Sequence, residues 1–260
     1  MTNKNADIEL GLGLIGIGRT WGYKSSSIPE EQNSLDFLMK AFEMGINFFD
    51  TAPAYGLSEV RLGKFLKSLD TKQRNSVVVA TKFGEFFDET TSSTYVDHSY
   101  KALCSSIDQS LERLGRIDIL QLHKTNVEVL QSEALLDAVK YAKQKGINII
   151  GASVSDVESG CIVCKNNTFS VIQIPYNMNF TSLEEILDLA KENNKFVISN
   201  RPFHMGEIMY KNNLDNSSDT IEEAFKFIIK KNFRGVILTG TKSPQHLQEN
   251  LRGFQKAFED

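Results

Sequence analysis

No apolar run in this 260-residue sequence approaches the ~20 residues that a membrane-spanning helix needs. Cysteine occurs only three times, a small odd number that suits a reducing compartment better than a disulfide framework. No Gly/Ser-rich linker, block of like charge or low-complexity tract divides the chain, so a single domain over residues 1–260 is expected. The opening MTNKNADIEL has no apolar stretch behind a basic head. No secretory signal is therefore predicted, and a cytoplasmic location follows as the expectation. Nor is there an excess of one charge. The 29 Lys and Arg stand against 33 Asp and Glu, a formal net charge of −4. That balance argues against a chain built to coat nucleic acid or an anionic membrane.

Eight short runs rich in Val, Ile, Leu and Phe are present: Leu10–Ile17, Ile46–Phe49, Val77–Ala80, Ile117–Leu122, Ile147–Ile150, Val171–Ile174, Phe196–Ser199 and Val236–Thr239. Each is nearly continuous in apolarity, as parallel strands covered on both faces are. Between them lie segments with helical spacing, such as Leu103, Ile107, Leu111 and Leu114, or Ile221, Phe225, Ile228 and Ile229. Ser182–Glu185 and Thr220–Glu223 read as capping boxes, and Ser243-Pro244 as a helix cap followed by proline in the first turn. Gly45 and Gly146 stand where helices should stop. The segment around 155–166 is the least periodic of the helices. Strand–helix alternation repeated eight times predicts an α/β fold, a (β/α)8 TIM barrel. Doubly wound sheets share the alternation.

The apolar runs end on chemistry. The second ends at Asp50, the third at Lys82, the fourth at His123 and the fifth at Ser153, while the sixth carries Gln173. In a barrel these positions share the carboxyl-end rim, where active sites of this fold lie. Asp50 and Lys82 can pair, and Tyr55, five residues on, can reach both. Free tyrosine has a pKa of about 10, too high for a proton shuttle at neutral pH. A lysine cation beside it favours the phenolate, with Asp50 keeping that lysine charged and oriented. Tyr55 would then act as a general acid towards an oxygen that gains charge, and His123 would hold the same oxygen by a hydrogen bond. Each residue alone also fits a structural ion pair or a packing role. Their joint arrival at successive strand ends favours catalysis.

The segment Leu238-Thr-Gly-Thr-Lys-Ser-Pro-Gln-His-Leu-Gln-Glu-Asn250 opens from the last strand through Gly240 into a helix beginning at Ser243-Pro244. Free backbone N–H groups at a helix start make an anion site, and barrels often bind phosphate after strands seven and eight. Lys242 adds a cation.

Gly45-Ile-Asn-Phe-Phe-Asp-Thr-Ala-Pro-Ala-Tyr-Gly-Leu-Ser-Glu59, followed by Leu62-Gly63, resembles the signature of the aldo-keto reductase family. Ser110-Leu-Glu-Arg-Leu-Gly-Arg-Ile-Asp-Ile-Leu-Gln-Leu-His123 resembles its second signature, and Gly240 to Asn250 its nucleotide-binding segment. The resemblance implies a (β/α)8 barrel that reduces aldehydes or ketones with NADPH and no metal. It implies Tyr55 as general acid/base, Lys82 and Asp50 as its tuning pair and His123 as the residue orienting the carbonyl. Ser153 and Gln173 match positions that hold the carboxamide. Gly240, Thr241, Ser243, Glu249 and Asn250 match positions around the adenosine and its phosphates.

Three positions depart from that pattern. Val154 follows Ser153 where an asparagine is usual, and Asn200 stands where an aromatic ring often stacks on the nicotinamide. His246 stands where NADPH-preferring members often carry arginine against the 2′-phosphate. A neutral imidazole is a weaker partner for a dianion than a guanidinium, which keeps NAD as the alternative to NADP.

Trp21 matches an aromatic over the family's substrate pocket, and the loop Gly84–Tyr95 is expected to overhang the site. A small-molecule carbonyl substrate, an open pocket without a long C-terminal loop, and a monomer are the expectations. An NAD-linked sugar or alcohol dehydrogenase, and a nucleotide-binding regulatory protein with little turnover, are the rival readings. Cys161-Ile-Val-Cys164 has redox-motif spacing, but its apolar interior and the lack of a second ligand pair argue against a metal. His98 and His204 read as isolated; reaching the rim is the alternative for His204 and a surface position the favoured one, and Lys230-Lys231 reads as a solvated helix end.

Overall fold

A computed structural model describes residues 7–22, 27–211 and 217–259. Eight parallel strands close into a barrel: β1 (Ile8–Gly13), β2 (Phe48–Asp50), β3 (Val78–Phe83), β4 (Ile119–Leu122), β5 (Ile149–Ser153), β6 (Val171–Pro175), β7 (Phe196–Asn200) and β8 (Gly235–Thr239). Each pairs with its neighbours in sequence, and β1 closes the ring on β8 with Leu10 opposite Ile237. The principal helices between and after them are α1 (Glu31–Glu43), α2 (Ser58–Ser68), α3 (Tyr100–Leu114), α4 (Glu133–Gln144), α5 (Val157–Lys165), α6 (Glu184–Glu192), α7 (Ser217–Ile229) and α8 (Pro244–Lys256). The (β/α)8 barrel read from the alternation is the fold.

A strand alternates sides residue by residue, and here that period builds the site. Phe48, Ala80, Ile119, Val171 and Ile198 form one apolar cluster with Val236 and Leu238. Side chains from strands on opposite sides of the ring can meet only in the lumen, so this cluster plugs the barrel. Phe48 of β2 stacks on Phe196 of β7 with ring centroids 6.3 Å apart. Two residues further along the same strands come Asp50, Lys82, Gln121, Gln173 and Asn200. A polar layer thus lies directly above the apolar plug, at the carboxyl ends. The much larger second cluster lies between strands and helices and includes Leu12, Phe65, Leu103, Ile150, Ile172 and Phe225.

The sequence reading needs four corrections. The run Leu10–Ile17 is not one strand: β1 stops at Gly13, and Ile15–Gly18 form a helical turn. Continuous apolarity does not separate a buried strand from a buried turn. Neither proposed capping box caps: α6 begins after Leu183 without a side-chain cap, and Thr220 lies inside α7. The loop Gly84–Tyr95 is largely a hairpin, Glu85–Asp88 against Ser93–Val96, with Phe86 stacked on Tyr95 at 5.2 Å. Lys231 is not simply solvated, because its ammonium is paired with Glu184 of α6. The faintly periodic segment near 155–166 does fold as α5, capped by Asp156, which accepts from the Ser159 N–H at 2.8 Å. Gly45 and Gly146 follow α1 and α4 with φ of +94° and +88°, the left-handed conformation that glycine adopts without strain.

Candidate active site

The polar layer is held by one carboxylate. Asp50 Oδ1 accepts from Lys82 Nζ at 2.5 Å, and Oδ2 accepts from Gln121 Nε2 at 3.0 Å and Gln173 Nε2 at 3.2 Å. Lys82 Nζ also donates to the Thr51 carbonyl at 3.0 Å. Both charged side chains are almost fully buried, so the ion pair survives only because these amide and carbonyl groups complete its hydrogen bonds.

Above the pair stands Tyr55, carried by a single turn, Pro53–Tyr55, directly after β2. The Lys82 ammonium lies 4.9 Å from the centre of the Tyr55 ring. Burial pushes the Tyr55 hydroxyl above its usual pKa, and the opposing pull of Lys82 does not overcome it. The lysine was expected to lower that pKa; desolvation wins, and Tyr55 is a phenol at neutral pH. Burial alone would discharge Lys82, but Asp50 and Tyr55 outweigh it and raise its pKa. The lysine is a permanent cation.

His123, the first residue after β4, meets Tyr55 edge-on with ring centroids 6.1 Å apart. Its Nδ1 lies 2.8 Å from Glu85 Oε2, at an angle too bent for a straight N–H···O bond. Burial lowers the His123 pKa, partly opposed by Glu85 and assisted by Lys82. The imidazole is neutral at pH 7. His98 is not an isolated surface residue: its Nε2 lies 2.9 Å from the His123 carbonyl oxygen and fixes the chain there.

One cavity of about 720 Å³ gathers Trp21, Asp50, Tyr55, His123, Ser153, Gln173, Gly240, Thr241, Lys242, Ser243, His246, Glu249 and Asn250. Of the catalytic, cofactor and substrate residues expected from the sequence, only Lys82 does not line it; that side chain lies buried behind Asp50 and Tyr55. Ser243 caps α8, accepting from the His246 N–H at 3.3 Å, and Asn250 Nδ2 donates to Thr239 Oγ1 at 2.6 Å. Lys242 is less free than its charge suggests, because its ammonium is bound to the Ser27 carbonyl and burial lowers its pKa. Trp21 is partly exposed at the rim, with the guanidinium carbons of Arg19 and Arg201 at 5.4 and 6.0 Å from its ring. His204 does not line this cavity; it stands 3.3 Å from Glu207.

Two buried acceptors on the lining have no protein donor, Gln173 Oε1 and Asn200 Oδ1. A side chain added at Gly240 would meet nothing within 4 Å. Unpaired acceptors, an open glycine and a capped helix start are the features that a dinucleotide with a carboxamide and phosphates would fill. The residues present fit such a cofactor. Among the described residues no cluster of three His, Cys, Asp or Glu could hold a metal ion, and no helix is long and apolar enough to cross a membrane.

The aldo/keto reductase family's sequence profile matches residues 9–223. The chain belongs to the aldo/keto reductase family. Among curated proteins it is 33% identical over 210 residues to an L-galactose dehydrogenase of Arabidopsis thaliana, covering 76% of this chain and 62% of that protein. It is 30% identical over 215 residues to an NADH-specific methylglyoxal reductase of Escherichia coli, covering 76% and 63%. The matches thus span about three-fifths of these relatives' length. Among solved structures, an aldo-keto reductase from Pseudomonas aeruginosa superposes with a TM-score of 0.78 at 27% identity, covering 95% of this chain and 89% of that one.

Within this aldo/keto reductase the two signature segments meet through Glu59. Its buried carboxylate accepts from Thr81 Oγ1 at 2.6 Å, Ser110 Oγ at 2.8 Å and Arg113 Nη1 at 2.9 Å. Three residues at the centre escaped the sequence reading. Gln121 was legible, since it lies two places after the lumen residue Ile119. Thr51 reaches Lys82 only through its carbonyl, while its hydroxyl lies 2.7 Å from Ser58 Oγ. Glu85 follows a glycine in what read as a loop, and no local signal points to its contact with His123.

Proposed function

We propose that the chain reduces the carbonyl group of a small aldehyde or ketone with NAD(P)H. The observation that carries this reading is Tyr55 kept protonated over the buried Lys82–Asp50 pair, on a cavity with two unpaired acceptors. A reduced nicotinamide bound in this cavity supplies the hydride. Gln173 and Ser153 hold its carboxamide, Gln173 through the Oε1 that lacks a donor. Gly240, Thr241, Ser243, Glu249 and Asn250, with Lys242 and His246, surround the adenosine and its phosphates. Tyr55 gives its proton to the carbonyl oxygen as charge develops there, and Lys82 stabilises the phenolate left behind. Asp50 holds Lys82 in place, while His123 contacts the same oxygen from the other side.

NADPH is the first choice of cofactor and NADH the second. Lys242 is the cation nearest the α8 start, but its bond to Ser27 and the neutral His246 weaken the case for a 2′-phosphate. The relative from Escherichia coli is NADH-specific, which supports keeping NADH as the alternative. The Arg19 and Arg201 guanidiniums beside Trp21 offer donors to a hydroxylated carbonyl such as an aldose. The three cysteines are unpaired, and burial pushes the Cys164 thiol up to about 11, which makes it unreactive. That suits a monomer working in a reducing, cytoplasmic compartment.

Titrations with NADPH and NADH, followed by Trp21 fluorescence and calorimetry, test the cofactor. Reduction of a panel of aldehydes by the wild type and by Tyr55→Phe tests the chemistry. The variant should bind cofactor nearly as well and turn over at least about a hundred-fold more slowly. Equal turnover would sink the reading.

A further inference from the structure

Two cations meet on one indole at the mouth of the catalytic cavity. The guanidinium carbon of Arg19 lies 5.4 Å from the centre of the Trp21 ring, and that of Arg201 lies 6.0 Å from it. Neither guanidinium forms an ion pair or a side-chain hydrogen bond among the described residues, and Arg19 Nε is closed off from solvent without an acceptor. Other cations around the same rim have theirs. Lys82 pairs with Asp50, Lys124 stands 3.7 Å from Glu85, and Lys242 is bound to the Ser27 carbonyl. Arginine stays charged at any working pH, so two guanidiniums beside one ring repel each other.

The backbone holds both in place. The Arg19 N–H donates to the Ile15 carbonyl at 3.0 Å, and the Arg19 Cβ lies 3.6 Å from where a Cβ on Gly56 would stand. Gly56 follows Tyr55, so Arg19 is tied to the turn that carries the proton donor. Arg201 directly follows β7 at φ +59°, a left-handed conformation that a residue other than glycine keeps only where its surroundings impose it. Its carbonyl oxygen accepts from Asn177 Nδ2 at 2.9 Å and from the His204 N–H at 3.0 Å. Arg201 and Trp21 line the same cavity as Tyr55.

We propose that Arg201 and Arg19 form an anion subsite for the substrate, so that the preferred carbonyl compounds carry a carboxylate or phosphate a few bonds from the reacting carbon. The inference rests on the carbonyl-reductase reading and narrows its substrate class. Hydroxyl groups can use the same donors, but only an anion also relieves the repulsion between the two guanidiniums. Each guanidinium presents paired N–H groups in one plane, the geometry that carboxylate and phosphate oxygens accept. The anion takes no part in hydride or proton transfer. It holds the far end of the substrate, and binding of that kind acts mainly on KM.

The diphosphate of a dinucleotide carries the same chemistry, and the measurements separate the two sources. Initial rates are taken with matched aldehydes: succinic semialdehyde against butyraldehyde, and glyceraldehyde phosphate against glyceraldehyde. In the wild type, kcat/KM for the charged member should exceed that for the neutral one by about ten-fold or more, the size of one charge-assisted contact, and chiefly through KM. Arg201→Gln and Arg19→Gln should each shrink that ratio several-fold, and Arg201→Lys should keep part of it. Salt should shrink it in the wild type, because the rim is open to water. A wild-type ratio near one, or a ratio that neither glutamine variant changes, would overturn the proposal. Titration with NADH alone identifies the other source. Variants that lose NADH affinity and keep the ratio would assign the arginines to the cofactor diphosphate, which also overturns it.

If no aldehyde is reduced, charged or neutral, the reductase reading fails and binding still decides the subsite. Succinate, which holds no reducible carbonyl, is then titrated against the fluorescence of Trp21, the one tryptophan of the chain, with calorimetry alongside. Saturable binding of succinate but not of its neutral diamide, lost in Arg201→Gln, is the expected result. No binding, or equal binding of the diamide, would overturn the subsite.

Discussion

Gly18 lies against the backbone of Tyr55 so closely that a Cβ there would stand 1.8 Å from the Tyr55 carbonyl oxygen and 2.6 Å from the Ser58 N–H nitrogen. The Gly18 carbonyl accepts from the Leu57 N–H at 3.1 Å on the same side. The turn after β1 is thus the seat on which the tyrosine turn rests. Gly18→Ala must push that turn away. Overpacking of this kind costs about 1–3 kcal/mol, and a displacement near 1 Å at a reacting group costs about a hundred-fold in rate. A fall in kcat out of proportion to the fall in Tm is the expected outcome, measured by steady-state kinetics and thermal melts on the same preparation. Wild-type kcat in a folded Gly18→Ala protein would show that Tyr55 does not depend on this contact.

The buried pair Lys82–Asp50 gives a second expectation. Lys82→Met strands Asp50 in the lumen with only two amide donors, and breaking a buried pair from one side costs about 3–5 kcal/mol. Adding Asp50→Asn removes the stranded charge. The double variant should therefore be more stable than Lys82→Met alone, although both remain inactive because the cation beneath Tyr55 is gone. Chemical denaturation of the wild type, both single variants and the double variant measures the coupling. Simple additivity would mean that the pair is not held as the distances indicate.

The strands and their order were legible because parallel strands covered on both faces leave short apolar runs that helices interrupt. What the runs concealed was their alternation. Phe48 and Asp50, Ala80 and Lys82, Ile119 and Gln121, and Val171 and Gln173 are one apolar plug and one polar layer, spaced by the two-residue period of a strand. A reading by period two would have found Gln121. Leu14 to Ile17 could not be divided from β1, since buried turn and buried strand use the same residues. The capping boxes at Ser182 and Thr220 failed because a local hydrogen bond is worth about 1 kcal/mol and tertiary packing overrides it. Glu85 reaches His123 across the fold, and no spacing rule encodes that contact.

Glu59 ties α2 to β3 and α3, so its removal should affect stability far more than chemistry. Glu59→Ala leaves the Thr81 and Ser110 hydroxyls and the Arg113 guanidinium without their acceptor. Unsatisfied buried groups cost about 1–3 kcal/mol each, less for Arg113, which is partly exposed. Gly63→Ala attacks the same junction sterically, with a Cβ 1.8 Å from the Arg113 carbonyl oxygen. Both variants should melt several degrees lower and keep KM near wild type at 25 °C. A large change in KM with unchanged Tm would place this junction in the site rather than beneath it.

Acid should weaken the hairpin first. Burial works to raise the Glu85 carboxyl pKa, yet His123, Thr94 and Lys124 outweigh it and hold the value at about 2, against an ordinary 4.5. The folded state therefore favours the carboxylate. The stability this contributes is complete above about pH 4.5 and is lost as pH falls towards 2. The His123 pKa is also lowered on folding, so the unfolded chain takes up that proton more readily below pH 6.5, and stability falls in the same direction. Glu85→Gln removes the first effect and leaves the second. Asp88, Asp97 and Asp108 are also held below the ordinary carboxylate range, so melting temperatures from pH 7 to pH 3 should show a Glu85→Gln curve that steepens less below about pH 4.5 than the wild-type curve. Parallel curves through that window would mean that the Glu85 carboxyl is not held below its ordinary range in the folded protein.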